Sequence, residues 1–356
     1  MNLNRRYILL GSAAAAELAA AQAGERIATA VIGTGNRGSH LLGGVLQQPN
    51  TKVVALCDIK PDRLDKAASA AAQDNPATRA DWHQIIDRKD VEAVFIATPP
   101  HLHSEMAIAA LQAGKHVYCE KPIGVNAAQV RALVLAARSA NRVFVAGQQL
   151  RSISQLAESV RKIREGAIGD VIWVKAQRHA PADIAHDGSS GDWYFDVTKS
   201  GGYLIEQSVH NLDACNWAIG AHPLRACGFG GTLLYKNDPP GRTIFDCASL
   251  TYEYPNGVKL SFTQNVFHPR SLPNGGQYIY VYGTKGAVDL MSPAQGPKRD
   301  ENQHAHITAF YDCITKGAAS PADINVGAAA ALTSILGHEA MVRQNVVNWS
   351  DLGVEV

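Results

Sequence analysis

The tightest constraint on the fold comes from short, unbroken apolar runs that alternate with helical stretches over residues 27–146. Ile27–Ile32, Lys52–Cys57, Val91–Ala97, His116–Cys119 and Val143–Ala146 read as strands. Ser39–Gln47, Arg63–Ala72, Ser104–Ala113 and Ala127–Ser139 lie between them and read as helices. A strand loses its polar alternation only when both of its faces are covered, so this pattern predicts a doubly wound parallel sheet. At the first junction the chain reads Gly33-Thr34-Gly35-Asn36-Arg37-Gly38, which satisfies G-x-G-x-x-G. The motif closes a predicted strand and opens a predicted helix, the context its mechanism requires. Gly33 permits the tight turn, Gly35 lets a pyrophosphate approach the backbone, and Gly38 lets helix pack close to strand. The helix N-terminus offers free N–H groups and a positive dipole to phosphate. The second strand ends at Cys57-Asp58, about twenty residues past Gly38, where an acid holds a ribose diol. Thr34, Asn36, Arg37 and Asp58 therefore join the three glycines as predicted cofactor contacts. Asp58 repels a 2′-phosphate, which favours NAD over NADP, although Arg37 and Lys60 weaken that preference.

At 356 residues the chain exceeds one ordinary core. Beyond Gly147 the texture changes to longer alternating strands: Val171–His179, Ala226–Tyr235, Thr243–Tyr254, Val258–Phe267 and Gln277–Gly283. Helices are predicted at Ser154–Glu165 and at Ser200–Ile219, the latter capped by Ser200. Two more, His306–Thr315 and Asn325–Arg343, are predicted to close the second sheet. The expected division is a dinucleotide-binding domain over residues 24–147 and an α+β domain with a large, mostly antiparallel open sheet over 148–356. Net charge is +1, without a basic block past the first residues, so no nucleic-acid surface is expected. No apolar run past residue 23 is long enough to span a bilayer. The six cysteines are scattered without paired spacing, which argues against a zinc site or a disulfide framework, and no metal is expected. Residues 1–23 pair Arg5-Arg6 with an Ala-rich stretch ending Ala21-Gln22-Ala23, an order resembling a twin-arginine export signal. Export to the periplasm is the expectation, with a cytoplasmic location as the alternative.

Residues 97–124 carry a second signature, Thr98-Pro99 followed by His103, and then Ala113-Gly114-Lys115-His116-Val117-Tyr118-Cys119-Glu120-Lys121-Pro122. This stretch resembles the glucose–fructose oxidoreductase and inositol dehydrogenase family (Gfo/Idh/MocA), and the likeness extends over residues 26–350. A lysine at the carboxyl end of a strand, between a nicotinamide and a substrate hydroxyl, can hydrogen-bond that hydroxyl and help move its proton; a nearby positive ring and partial burial would lower its pKa. The resemblance implies that role for Lys121, a cis bond before Pro122, and cofactor contacts at Thr98 and Pro99. His103 is read either as a cap for the helix beginning near Ser104 or as a cofactor contact, and Glu120 as orienting Lys121 or touching the cofactor. The family pattern G-G-x-x-x-D-x-x-x-H-x-x-D falls on Gly201-Gly202, Glu206, His210 and Asp213. It carries the catalytic histidine to His210 and places Glu206 where the family has aspartate. In one helix, Glu206, His210 and Asp213 share a face. Gln149, Arg151, Arg178, His179, Trp193, Tyr194, Asn211 and Asp213 are candidate contacts for a sugar-like substrate, since rings stack on C–H faces while polar groups bond hydroxyls. The implied activity is NAD(P)-dependent hydride transfer from a secondary alcohol of a sugar, cyclitol or glycoside. The alternative is a redox-neutral reaction in which a tightly bound NAD is recycled in place. Family precedent adds a homo-oligomer joined through the C-terminal sheet.

Overall fold

The computed structural model describes residues 26–180, 192–269, 271, 276–292 and 304–356. The export-like segment 1–23 and residues 181–191 of the aromatic loop lie outside them.

The first layer is a parallel sheet of β1 (Ile27–Ile32), β2 (Thr51–Cys57), β3 (Ala77–Arg79), β4 (Ala93–Ile96), β5 (His116–Cys119) and β6 (Phe144–Ala146). Their order is β3-β2-β1-β4-β5-β6, a doubly wound arrangement that places a crevice above the carboxyl ends of β1 and β4. All four β4 residues are buried, as the continuous apolar run requires. The short β3 carries no apolar signal, because both Thr78 and Arg79 are exposed at the sheet edge.

The second layer is a seven-stranded sheet of β7 (Val171–His179), β8 (Arg225–Gly231), β9 (Cys247–Glu253), β10 (Lys259–Asn265), β11 (Gln277–Gly283), β12 (Gly286–Asp289) and β13 (Val347–Asn348). The order is β12-β11-β7-β10-β9-β8-β13, with every pairing antiparallel except β7 with β10. β10 alternates strictly, with Leu260, Phe262 and Gln264 turned inward. The helices Val209–Ile219 and Ile324–Arg343 cover that inner face. The opposite face is open and carries Trp173, Phe229 and Tyr282, at 50%, 73% and 39% exposure.

Three expectations need correction. β8 ends at Gly231 and β9 begins only at Cys247, because the fully buried Asp246 carboxylate accepts N–H bonds from Leu233, Leu234 and Tyr235 and draws that segment off the ladder. The helix Ala305–Lys316, expected over the second sheet, packs on the first instead. Its Ile307, Phe310 and Tyr311 enter the core formed by Val31, Leu41, Phe95 and Tyr118. Finally, the helix expected over Ser200–Ile219 is broken into the short turns Val197–Ser200 and Tyr203–Glu206 followed by Val209–Ile219. Gly201 and Gly202 have φ of 76° and 80°, left-handed values that end one helix before the next begins. Ser200 thus closes the first turn, and its Oγ accepts from Gly202 N–H at 2.9 Å.

Candidate active site

A cleft of about 960 Å³ runs from the Gly33 turn to Lys121 and His210. At its first end, Gly33 has φ +84°, and a Cβ there would stand 2.6 Å from Ala97 O. A Cβ on Gly38 would stand 1.7 Å from Gly33 O, so turn and helix touch backbone to backbone. Gly35 differs: its nearest neighbour would be Arg63 Nη1 at 3.0 Å, and its open side faces the cleft. Asp58 Oδ2 accepts from Thr34 N–H at 2.7 Å and Thr34 Oγ1 at 3.2 Å, while Oδ1 accepts from Lys60 N–H. The carboxylate that lines the cleft also holds the turn. An open glycine, a helix N-terminus and a carboxylate at the end of β2 together fit a dinucleotide: space and N–H groups for pyrophosphate, an acceptor for ribose hydroxyls.

Arg37 turns inward. Its Nε donates to Glu120 Oε1 at 2.7 Å, and Nη2 lies 3.4 Å from both Gln149 Oε1 and His306 Nε2. This removes Arg37 from the Asp58 end, where a 2′-phosphate would need it. Glu120 Oε2 accepts from Lys121 N–H at 3.2 Å. The Lys121–Pro122 bond is cis. Thr98 and Pro99 line the cleft behind β4. His103 does not cap its helix: Nδ1 lies 2.7 Å from Pro122 O and Nε2 2.8 Å from Thr98 O, tying the two cleft-lining loops together.

At the far end Lys121 Nζ meets Glu206 twice, at 2.9 Å to Oε1 and 2.6 Å to the main-chain carbonyl. Each side chain of this ion pair is 11% exposed. Glu206 Oε2 is buried without a hydrogen-bond partner among the described residues. The longer carboxylate arm thus reaches the lysine rather than the histidine. His210, in the first turn of Val209–Ile219, places Nδ1 3.2 Å from Gln148 Oε1. Burial, aided by Lys121, Arg178 and Arg37, drives the His210 pKa well below the ordinary histidine value, so the ring is neutral.

The remaining candidates divide. Gln149 and Trp193 line the cleft, as does Asn36. Arg151 and Asp213 are not among the described lining residues; they form a two-bond ion pair at 2.8 and 2.9 Å, with the guanidinium 4.9 Å over Trp217. Because the helix is broken, Asp213 turns to this partner instead of sharing a face with Glu206. Arg178 donates to Gln207 Oε1 at 3.2 Å, and it is Gln207 that reaches the cleft. Tyr194 and Asn211 are buried beside the site, and the Tyr194 hydroxyl and Asn211 Nδ2 have no hydrogen-bond partner among the described residues. His179 pairs with Thr263 Oγ1 on the open face of the sheet, away from the cleft. Sequence reasoning missed Gln148 and Gln207, whose only signal is adjacency to Gly147 and to Glu206. Among the described residues no helix is long and apolar enough to cross a membrane.

Residues 27–148 match the oxidoreductase family with an NAD-binding Rossmann fold, and residues 157–289 match the GFO/IDH/MocA C-terminal domain. The levoglucosan dehydrogenase of Pseudarthrobacter phenanthrenivorans is 31% identical over 286 residues, spanning 74% of this chain and 70% of the relative. The 2,7-anhydro-N-acetylneuraminate hydratase of Escherichia coli K12 is 27% identical over 280 residues, spanning 78% and 71%. A solved levoglucosan dehydrogenase in complex with NADH and levoglucosan shares the fold, with a TM-score of 0.78 at 20% identity over 91% of this chain and 99% of that one.

Proposed function

Because this chain belongs to the Gfo/Idh/MocA oxidoreductase family, we propose that it oxidises a secondary alcohol of a sugar, anhydrosugar or cyclitol, using NAD. The observation that carries the reading is the placement of His210 in the same cleft as the Lys121–Glu206 pair. Bound NAD supplies the acceptor for the hydride that leaves the carbinol carbon. The residues handle the rest. His210 takes the hydroxyl proton on Nε2, which has no hydrogen-bond partner among the described residues. Lys121 has three N–H groups, two of them given to Glu206, and the third is left to hydrogen-bond the substrate oxygen. Glu206 fixes the direction of that ammonium. Gln149, Gln207 and Trp193 then supply the polar and aromatic walls that a polyol needs.

Two features extend the proposal. The aromatic open face of the second sheet, with Trp173 opposite Tyr282 across β7 and β11, fits burial against a second copy of the chain. The Arg5-Arg6 segment fits twin-arginine export with cleavage after Ala23, which N-terminal sequencing of the mature protein tests. The hydratase relative favours one further reading, in which NAD oxidises the substrate transiently and is regenerated before release.

One experiment separates these. The protein is incubated anaerobically with NAD and a panel of anhydrosugars, cyclitols and glycosides, and nicotinamide absorbance is followed alongside product analysis. Accumulating NADH with a ketone product supports the dehydrogenase. Conversion without net NADH supports the redox-neutral reaction. His210→Ala is expected to lose at least about 100-fold in kcat with NAD affinity unchanged. Turnover within a few-fold of wild type would overturn the assignment.

A further inference from the structure

A histidine acts as a base only when its tautomer leaves a lone pair toward the substrate. The hydrogen bonds of the neighbouring carboxylates go to other groups. Glu206 gives Oε1 and its carbonyl to Lys121, and Asp213, three residues past His210, is closed in its ion pair with Arg151. The group that meets the ring is an amide, Gln148 Oε1, 3.2 Å from Nδ1. With the amide oxygen turned to the ring, as here, the bond takes the proton on Nδ1 and leaves the lone pair on Nε2. Gln148 is well placed to enforce this. It is 3% exposed, and its N–H returns to Ala146 O at 2.7 Å. The preceding Gly147 admits no side chain, because a Cβ would stand 2.9 Å from Glu120 Oε2. The turn just past β6 therefore carries the glutamine in a backbone-anchored position beside a ring that lines the cleft.

We infer that Gln148 is a positioning residue that holds His210 in the Nδ1–H tautomer through a neutral hydrogen bond, presenting Nε2 to the substrate hydroxyl. The inference rests on the reading of His210 as the base. A neutral partner differs in its consequence from a carboxylate. A carboxylate at this position would attract a proton to the resting ring, whereas an amide orients the ring without charging it. The charged groups that bear on the ring are the cations Lys121, Arg178 and Arg37, all of which oppose a second ring proton. When Nε2 accepts the substrate proton, Nδ1–H keeps the same acceptor, so the ring does not have to turn during the transfer.

The test reads the ring directly. Full-length protein with ¹⁵N-labelled histidine and bound NAD is studied by two-bond ¹⁵N–¹H correlation spectra, with His210 identified by its loss in His210→Gln. The wild-type ring is expected in the Nδ1–H form across neutral pH. In Gln148→Glu, close in shape, the same tautomer should persist with its ionisation midpoint raised by about one pH unit or more. In Gln148→Leu the tautomer preference should be lost while NAD affinity stays within about two-fold. A wild-type Nε2–H tautomer would overturn the inference, as would a midpoint moved by less than about 0.3 unit in Gln148→Glu. An unmoved midpoint in Gln148→Glu leaves the role of His210 as base intact, whereas a resting Nε2–H ring would also remove Nε2 as the proton acceptor; the role of His210 fails separately if His210→Gln turns over the substrate panel at the wild-type rate.

Discussion

Replacing Gly35 and Gly38 by alanine separates a cofactor cradle from a mere turn, because the two positions meet different obstacles. At Gly38 the new Cβ would stand 1.7 Å from Gly33 O and 2.7 Å from its carbonyl carbon. Both are backbone atoms, so relief requires strand end and helix start to separate by more than an ångström in a close-packed layer. The expected cost is about 4 kcal/mol or more, which corresponds to a fall in Tm of roughly 10 °C in a domain of this size. At Gly35 the new Cβ would meet only Arg63 Nη1, at 3.0 Å, at the end of a flexible side chain. The local φ of −65° suits alanine, so the apo protein should melt within about 2 °C of wild type. The methyl group would instead occupy the side of the turn that faces the cleft. Displacing a pyrophosphate from charge-assisted N–H bonds costs roughly 1.5–3 kcal/mol, or about 10- to 150-fold in NAD dissociation constant. Thermal melts without cofactor and calorimetric titration with NAD measure the two effects independently. The reasoning is refuted if Gly35→Ala binds NAD as wild type does, or if it lowers Tm as much as Gly38→Ala.

Two further outcomes follow from buried charge. Asp213→Ala strands the Arg151 guanidinium, only 11% exposed in its side chain, and should destabilise by about 3–5 kcal/mol in urea unfolding; adding Arg151→Met should recover most of that loss. His306, 6% exposed and next to Arg37, has its pKa pushed down to about 3 by burial first and then by that guanidinium. Its folded value lies below the unfolded one, so its contribution is complete above about pH 6.5 and is lost as pH falls, at about 1.4 kcal/mol per unit. Relative to wild type, His306→Gln should therefore remove about 2–3 kcal/mol of the destabilisation seen between pH 7 and pH 4.5, and equal slopes in the two proteins would contradict this.

The parts of this molecule that local chemistry dictates were legible in its sequence. β1 and β5 fall on the residues their apolar runs predict, since a strand covered on both faces has no other way to satisfy itself. The Gly33–Gly38 turn was legible because its spacing answers to one strand–turn–helix unit, in which Gly38 must clear Gly33 O, although the obstacle at Gly33 itself is Ala97 O at the end of β4. What escaped is whatever depends on a partner far along the chain. Glu206, His210 and Asp213 have the spacing of one helical face, yet the structure sends them to three different partners, Lys121, Gln148 and Arg151. Periodicity predicts a face only while the helix is continuous, and the break at Gln207 and Ser208 separates Glu206 from the helix that carries His210 and Asp213. The substitution of glutamate for the family aspartate has the same character. Read alone it is one added methylene; in the structure that length closes a 2.9 Å ion pair with Lys121 and leaves the histidine to an amide just past β6. The division of labour in the site, one pair to hold the substrate oxygen and another to orient the base, is therefore set by side-chain reach between segments far apart in the chain, a quantity that spacing within either segment does not encode.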